Sequence, residues 1–517
     1  MDASIKFQAK DFITSRRLGE KSGLWEHYRL GRFLGEGAYG AVHSCIHLET
    51  GAERACKIME KTLDNDEITE EALKEYHILK EMDHPNMMSC YEVLEDDTAF
   101  YIITDLCEGG DLLDELEKYD GGALPEDDVV VLMGHLLSCI NYMHQHGLAH
   151  RDLKLENVLL HDSDYDTMKV IDFGLAARFD SDTRFNDIVG TAYYLAPETL
   201  DHSSGPKVDC WSAGIIAYML LGGYAPFDGE DDREVLQSVV SGCLQFNEEV
   251  WDDVSEEAID FIAKLLEKDE EKRVTAEEAL QHPWLKSHRR SALARNHNRR
   301  ASTRASLVDL QKFQSQGCIL KQATCAMMAS QFQHSEEVKD ISRAFQTLDQ
   351  TGCGKLTKAD LQACLAVMLE DDPDASEHID VDGLFEQVNF SGTNTIMYSE
   401  FVGACLLQKK VLDDVKLQQV FQTYDKEEKG YITRRDLKEA LSRNCLISDR
   451  TIDKIMRQTD KSGHGHIYFE DFRAKMLGHS VSLPPKIGST DCDQHHRFRL
   501  QAPQRTRAPV QIHAKGA

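Results

Sequence analysis

The chain has 517 residues, 41% hydrophobic and 28% charged, with a formal net charge of −31. Its length predicts roughly two to four domains, and its composition excludes a collagen-like or wholly disordered chain. Such acidity argues against nucleic acid as a partner, and no apolar run reaches the roughly 18 residues of a membrane helix. The longest candidate, Ala213 to Phe227, is broken by Gly222, Gly223 and Pro226. The start, Met-Asp-Ala-Ser, is neither a signal peptide nor a myristoylation signal, so no membrane anchor is expected. The 14 cysteines form no CxxC pair and predict reduced thiols in a cytoplasmic protein.

In chain order, residues 1–27 form an extension. Residues 28–285 carry 56 acids against 19 bases and alternate strand-like and helix-like patterns. Ala99 to Leu106 predicts a buried strand, and Val129 to His144 a helix. Residues 286–335 turn basic, with six arginines and no acid between 287 and 308, as in a linker or docking segment. Residues 336–478 are helical and repetitive. From His479 to Ala517 the chain is proline-containing and poor in apolar residues, the composition of a disordered tail.

Leu34 to Val42 reads G-x-G-x-x-G-x-V, with Gly35, Gly37 and Gly40. Glycines there let main-chain N–H groups approach phosphates, although a strand hairpin alone could use the same residues. Ala55-Cys56-Lys57 follows. A lysine at that point suits nucleotide phosphates if an acid holds it, and Glu75 lies on the helical stretch Glu70 to Glu81. His150-Arg151-Asp152-Leu153-Lys154-Leu155-Glu156-Asn157 gathers a carboxylate, cations and an amide in one short loop. Asp172-Phe173-Gly174 and Ala196-Pro197-Glu198 come after it.

The set, in this order, resembles the eukaryotic protein kinases. The resemblance implies a two-lobed α+β fold, with a mainly β small lobe to about Asp105 and ATP between the lobes. It implies that Gly35, Gly37 and Gly40 cover the phosphates, flanked by Leu34 and Val42, and that Lys57, paired with Glu75, contacts them. Asp152 would accept the substrate hydroxyl proton, while Asn157 and Asp172 hold Mg²⁺. Lys154 follows the serine/threonine pattern. Leu106 and Cys107 would face adenine, with Thr104 at the back of the pocket. Glu198 with Arg273, and Asp209, would be structural. A catalytically dead kinase scaffold is the alternative, but the positions where such chains usually depart, Lys57, Asp152 and Asp172, are intact.

In residues 336–478, four 12-residue loops begin at Asp349, Asn389, Asp425 and Asp460. Their sixth positions are Gly354, Asn394, Gly430 and Gly465, and their eighth are Leu356, Ile396, Ile432 and Ile467. Phe345, Phe385, Phe421 and Met456 stand four residues ahead of each. This register resembles four EF-hands, an all-α domain. Calcium wants oxygens at positions 1, 3, 5 and 12, ideally with Glu at 12. Loop three offers Asp425, Glu427 and Asp436 but puts Lys429 at position 5. Loop four offers Asp460, Ser462, His464 and Asp471. Those two are the better candidates for Ca²⁺, and every loop is degenerate, so weak calcium binding is expected.

Kinase, basic junction and EF-hands in this order resemble the calcium-dependent protein kinases. The resemblance implies an ATP- and Mg²⁺-dependent serine/threonine kinase. It also implies a junction that blocks the active site until the EF-hand domain binds it, with Leu307 to Gln331 as the candidate helix. Substrates are expected to carry basic residues near Ser or Thr, because Glu108, Asp111 and Glu156 lie near the cleft. Arg299-Arg300-Ala301-Ser302-Thr303 looks like such a substrate in cis, making Ser302 a candidate autophosphorylation site.

Overall fold

In a computed structural model the chain is described over residues 8–18, 23–37, 40–61, 66–119, 122–162, 165–287, 297–313, 318–332, 336–371, 380–389, 391–408, 414–425, 427, 429–441, 447–461 and 463–477. The expected tail, Ser462 and most of the arginine-rich stretch before residue 297 lie outside those residues.

The small lobe is a six-stranded sheet. Its strands are β1 (Thr14–Arg17), β2 (Tyr28–Gly37), β3 (Gly40–His47), β4 (Glu53–Glu60), β5 (Cys90–Glu95) and β6 (Ala99–Thr104). They are ordered β1-β5-β6-β4-β3-β2. The buried strand predicted to Leu106 ends two residues earlier. β2 and β3 close as a hairpin with Gly37 opposite Gly40. A Cβ on Gly40 would stand 2.0 Å from the Ile58 carbonyl oxygen, so only glycine lets these strands approach.

β1 was not anticipated. It pairs in parallel with β5, Thr14 opposite Glu92 through Arg17 opposite Glu95, and covers an edge that would otherwise be open. Just before it, Ile13 joins the core of the kinase lobes, while Phe12 packs against the core of the C-terminal domain.

Helix α1 (Asp66–Glu81) flanks the sheet. The large lobe is built on α2 (Glu126–Gln145) and α3 (Val208–Gly222). α3 is buried along nearly its whole length, which its Ile-Ile-Ala-Tyr-Met-Leu-Leu run permits. A helix apolar all round belongs in a core, and Gly223, at φ 75°, ends it in a left-handed cap.

The junction forms two helices where one was predicted over Leu307–Gln331: α4 (His297–Lys312) and α5 (Ile319–Gln331). Leu307, Leu310 and Phe313 of the first segment and Leu320, Ala323, Met327 and Met328 of the second are all buried in the EF-hand core. At 100° per residue the second stripe would stand roughly 85° around a straight helix from the first, so one helix could not lay both along the same side. The EF-hand helices are α6 (Glu336–Leu348), α7 (Lys358–Asp371), α8 (Val381–Val388), α9 (Tyr398–Gln408), α10 (Asp414–Tyr424), α11 (Arg434–Leu441), α12 (Asp449–Thr459) and α13 (Phe469–Leu477). Leu356 pairs with Ile396, and Ile432 with Ile467, in two short antiparallel contacts between loops. Phe345, Phe385 and Phe421 are buried beneath them.

The first two loops rest on the kinase lobes. The Gly352 carbonyl accepts from Asn141 Nδ2 at 3.3 Å, and Lys355 Nζ lies 3.2 Å from His146 Nε2. Asp83, just past α1, accepts from the Ser399 backbone N–H at 3.1 Å, capping α9 from another domain, and from Ser399 Oγ at 2.7 Å. Gln346 donates to Asn86, and Lys339 pairs with Asp162 at 2.6 Å. Among the described residues no helix is long and apolar enough to cross a membrane.

Candidate active site

The glycine-loop hairpin, β4 and α1 bring the first group together. Gly35 faces Val42, and Val42 faces Lys57 on the next strand. A Cβ on Gly35 would meet nothing within 4 Å, so the loop opens onto space there. Leu34 is partly exposed beside it, at 37%. Lys57 Nζ lies 2.6 Å from Glu75 Oε2, the two side chains 15% and 8% exposed. Such a buried pair holds only because each charge answers the other. Two further ties fix α1: Lys74 donates to the Gly174 carbonyl at 3.0 Å, and Glu81 pairs with Arg178.

Behind this, β6 delivers Thr104 at its end, followed by Leu106 and Cys107. Asp105 is fully buried between them. It accepts from Tyr91 OH at 2.8 Å and lies 3.3 Å from Lys169 Nζ, which anchors the link between the lobes.

The loop 150–157 is held from below. Asp209 on α3 accepts from the backbone N–H groups of His150 and Arg151 at 2.9 and 2.8 Å, and from His144 Nε2 at 2.9 Å. Burial alone would raise its carboxyl, but the His144 bond and the neighbouring positive groups hold it below the usual range. Arg151 and Asp172 both adopt left-handed backbone, φ 70° and 62°. Such strain is sustained where surrounding contacts over-determine it.

On this loop Asp152 Oδ1 accepts from Thr191 N–H at 3.1 Å and from its hydroxyl at 3.0 Å. Lys154 Nζ stands 3.2 Å from both Asp152 Oδ2 and Thr191 Oγ1. Asn157 Nδ2 donates to the Asp152 carbonyl at 2.8 Å, which leaves Oδ1 as its acceptor. Asp172 Oδ1 accepts from Gly174 N–H at 3.4 Å. Neutral and anionic oxygens of this kind suit Mg²⁺. The glycine loop, the held ammonium of Lys57 and this oxygen set fit a magnesium-bound nucleoside triphosphate. Arg273 clamps Glu198 with two bonds, 2.6 and 3.0 Å.

Two groups escaped the sequence reading. Thr191 has no motif around it. Asp187 is one acid among many, yet its Oδ2 stands 2.5 Å from an Arg151 nitrogen. Burial would raise the Asp187 carboxyl, and the Arg151 bond outweighs it and lowers it. The three acids near the cleft separate. Glu108 pairs with exposed Arg32 at 2.8 Å, and Asp111 caps the helix Leu112–Glu117 through Asp114 N–H. Glu156 Oε2 is buried and has no hydrogen-bond partner.

The EF-hand loops are closed by their own groups. Asp349 accepts from Gly354 N–H at 2.7 Å and Cys353 N–H at 3.1 Å. In loop two, Glu400 accepts from Ser391 and Met397 N–H groups, and burial raises its carboxyl to about 7. In loop three Lys429 Nζ sits among Asp436, Glu427 and Asp425 at 3.0, 3.2 and 3.9 Å. In loop four Asp460 accepts from Gly463 and Gly465 N–H groups, and burial raises Asp471. No group of three or more metal-ligating His, Cys, Asp or Glu side chains occurs among the described residues.

The protein kinase domain family matches residues 28–285, and the EF-hand domain pair family residues 414–477. Calcium-dependent protein kinase 8 of Arabidopsis thaliana is 34% identical over 454 residues, covering 87% of this chain and 83% of its own. Calcium-dependent protein kinase 5 of Plasmodium falciparum is 31% identical over 483 residues, covering 92% and 83%. The arrangement around Lys57 and Asp152, the EF-hand domain behind it and likeness along nearly the whole length agree: the chain belongs to the calcium-dependent protein kinases, serine/threonine kinases regulated by a C-terminal EF-hand domain.

Proposed function

We propose that Asp152 orients the substrate hydroxyl and takes its proton, that Lys154 steadies the transferring group, and that Lys57, fixed by Glu75, binds the α- and β-phosphates. Bound Mg-ATP supplies the γ-phosphoryl group, with the metal offsetting its charge. Gly35, Gly37 and Gly40 with Leu34 and Val42 cover it, Thr104 and Cys107 border the base, and Asn157 and Asp172 hold the metal. The arrangement of Asp152 between Lys154, Thr191 and Asn157 carries this reading. Asp152→Asn with an intact fold should lose phosphate transfer to a test peptide by at least about a hundredfold, and normal turnover would overturn the assignment.

The protein substrates carry arginine ahead of the target Ser or Thr. The supporting observation is Glu156 Oε2, desolvated without a partner, a state that a guanidinium would relieve. Ser302 in Arg299-Arg300-Ala301-Ser302 fits this preference and is a substrate in cis. A peptide library blind to upstream arginine would remove the reading. Calcium acts weakly, with loops three and four the candidate sites through Asp425, Glu427, Asp436, Asp460, Ser462 and Asp471. The junction is held chiefly by the EF-hand domain's own packing. The described cysteines are all free thiols, which supports a cytoplasmic location.

A further inference from the structure

Helix α4 has one face sealed from water. Thr303, Ser306, Leu307 and Leu310 are 1%, 2%, 0% and 0% exposed, and Phe313 just past the helix is 0% exposed. Their spacing is that of a single helical stripe. The stripe packs against α6 and α9, where Cys405 Sγ lies 3.8 Å from the Ser306 carbonyl. Its lower part is ordinary core. Its upper end is a threonine hydroxyl, three residues after Arg300, with exposed Arg304 beside it.

Two demands conflict at Thr303. To accept phosphate, its hydroxyl must reach Asp152 in an open cleft, and a side chain 1% exposed inside a helical packing interface cannot. Once attached, a phosphate brings roughly −1.5 to −2 charge and three acceptor oxygens. A site sealed from water beside Leu307 and Leu310 has no room for it.

We infer that Thr303 is an autophosphorylation latch: the active site reaches it only while α4 is off the EF-hand domain, and the phosphate then keeps α4 off. The recognition half rests on the arginine-directed reading above, since Arg300 supplies the upstream cation. The burial half does not. In the step, Thr303 Oγ1 bonds to the γ-phosphorus of ATP as the bond to the bridging oxygen breaks. ADP leaves with that electron pair, and the hydroxyl proton passes to Asp152. Reach permits the reaction in cis. The segment from Leu285 to Thr303, once extended, spans up to about 60 Å. A domain the size of residues 28–285 has a radius of gyration of only about 18 Å. Ser306 shares the buried face but has Thr303, not arginine, three residues ahead, so it is not a second target.

The test uses the full chain. Wild type and Leu307→Asp, which frees α4, are incubated with Mg-ATP, and mass spectrometry resolves Ser302 from Thr303. Phosphothreonine 303 should form at least about tenfold faster in the variant. In parallel, Thr303→Glu should lose amide-exchange protection over residues 303–313 while Thr303→Val keeps it, with unchanged protection over α2 of the large lobe in both as the fold control. Thr303 unmodified in Leu307→Asp, while arginine peptides are still phosphorylated, would overturn the latch and leave the arginine reading standing. Unchanged protection in Thr303→Glu would overturn it whatever the peptide profile. A profile blind to arginine, with Thr303 still modified and the helix still released, would overturn the arginine reading alone.

Discussion

At the scale of single residues, fixed charges stand where bound ions or modifications could otherwise act. Asp187 gives Arg151 a permanent anionic partner, so the loop carrying Asp152 needs no added phosphate to be braced. Asp187→Ala should lower kcat by about tenfold, some 1–2 kcal/mol of lost positioning, in enzyme stripped of phosphate beforehand. A lowered carboxyl keeps this tie at neutral pH and releases it only as pH falls through the lowered value, below the usual carboxylate range. Lys429 similarly places an ammonium where loop three would receive a cation. Lys429→Asp should add one bound Ca²⁺ per chain by calorimetry, and an unchanged stoichiometry would show that the lysine is not what closes the loop. Glu400 is the reverse case, a carboxyl raised to about 7 by burial. A raised folded pKa contributes stability fully below the unfolded value, about 4.3, and loses it as pH rises through about 7. Glu400→Gln should therefore remove up to about 3 kcal/mol of the fall in stability between pH 5 and 8, read from melting curves of both proteins.

At the scale of elements, α1 carries Glu75 to Lys57 and is tied to Gly174 and Arg178. Its two ion pairs differ in burial, and that difference ranks them. Glu75 is 8% exposed against Lys57, while Glu81 is 48% exposed against Arg178. Glu75→Gln should cost at least about tenfold in kcat/KM because it strands a buried ammonium. Glu81→Gln should cost less than about twofold, since solvent screens that pair. Equal losses in steady-state assays would mean that α1 is held as a unit. The groups proposed for phosphate and magnesium, Lys57, Asp152, Asn157 and Asp172, could be picked out in the sequence because such chemistry would dictate side-chain type there. Their bracing by Thr191 and Asp187 could not, because a threonine and an acid among many carry no signal until the fold sets them beside Asp152 and Arg151. The break between α4 and α5 was hidden too: the apolar periodicity shows which side chains are buried, not that two stripes must meet one small core from different directions.

At the scale of the whole molecule, the EF-hand domain meets the kinase lobes through polar groups that sequence patterning treats as surface. Asn141, Asp83, Gln346 and Ser399 look solvated one by one, and only their pairing makes an interface. Asp83 capping α9 is the sharpest of these contacts. Asp83→Ala should weaken the docking by about 0.5–2 kcal/mol, seen as faster hydrogen exchange at the start of α9. Identical exchange in both proteins would place the docking energy elsewhere. The order of kinase domain and EF-hands was legible from the ordered motifs, their resemblance to protein kinases and the loop repeat. How they dock was not, since no periodicity encodes a contact between Asp83 and a residue some 300 positions away.

The edge strand β1 has a consequence for how the protein is made. Thr14–Arg17 pair with a strand synthesised soon after them, but Phe12 packs on a core that includes α5, which leaves the ribosome about 300 residues later. At roughly 5–20 residues per second, that interval is on the order of 15–60 seconds. Throughout it the outer edge of the nascent sheet is guarded only by a short polar strand lacking half of its support. Crowded polysomes therefore bring such edges together before the segment that secures them exists, so yield should depend on translation speed and on chaperone occupancy of the emerging small lobe more than on the stability of the finished enzyme.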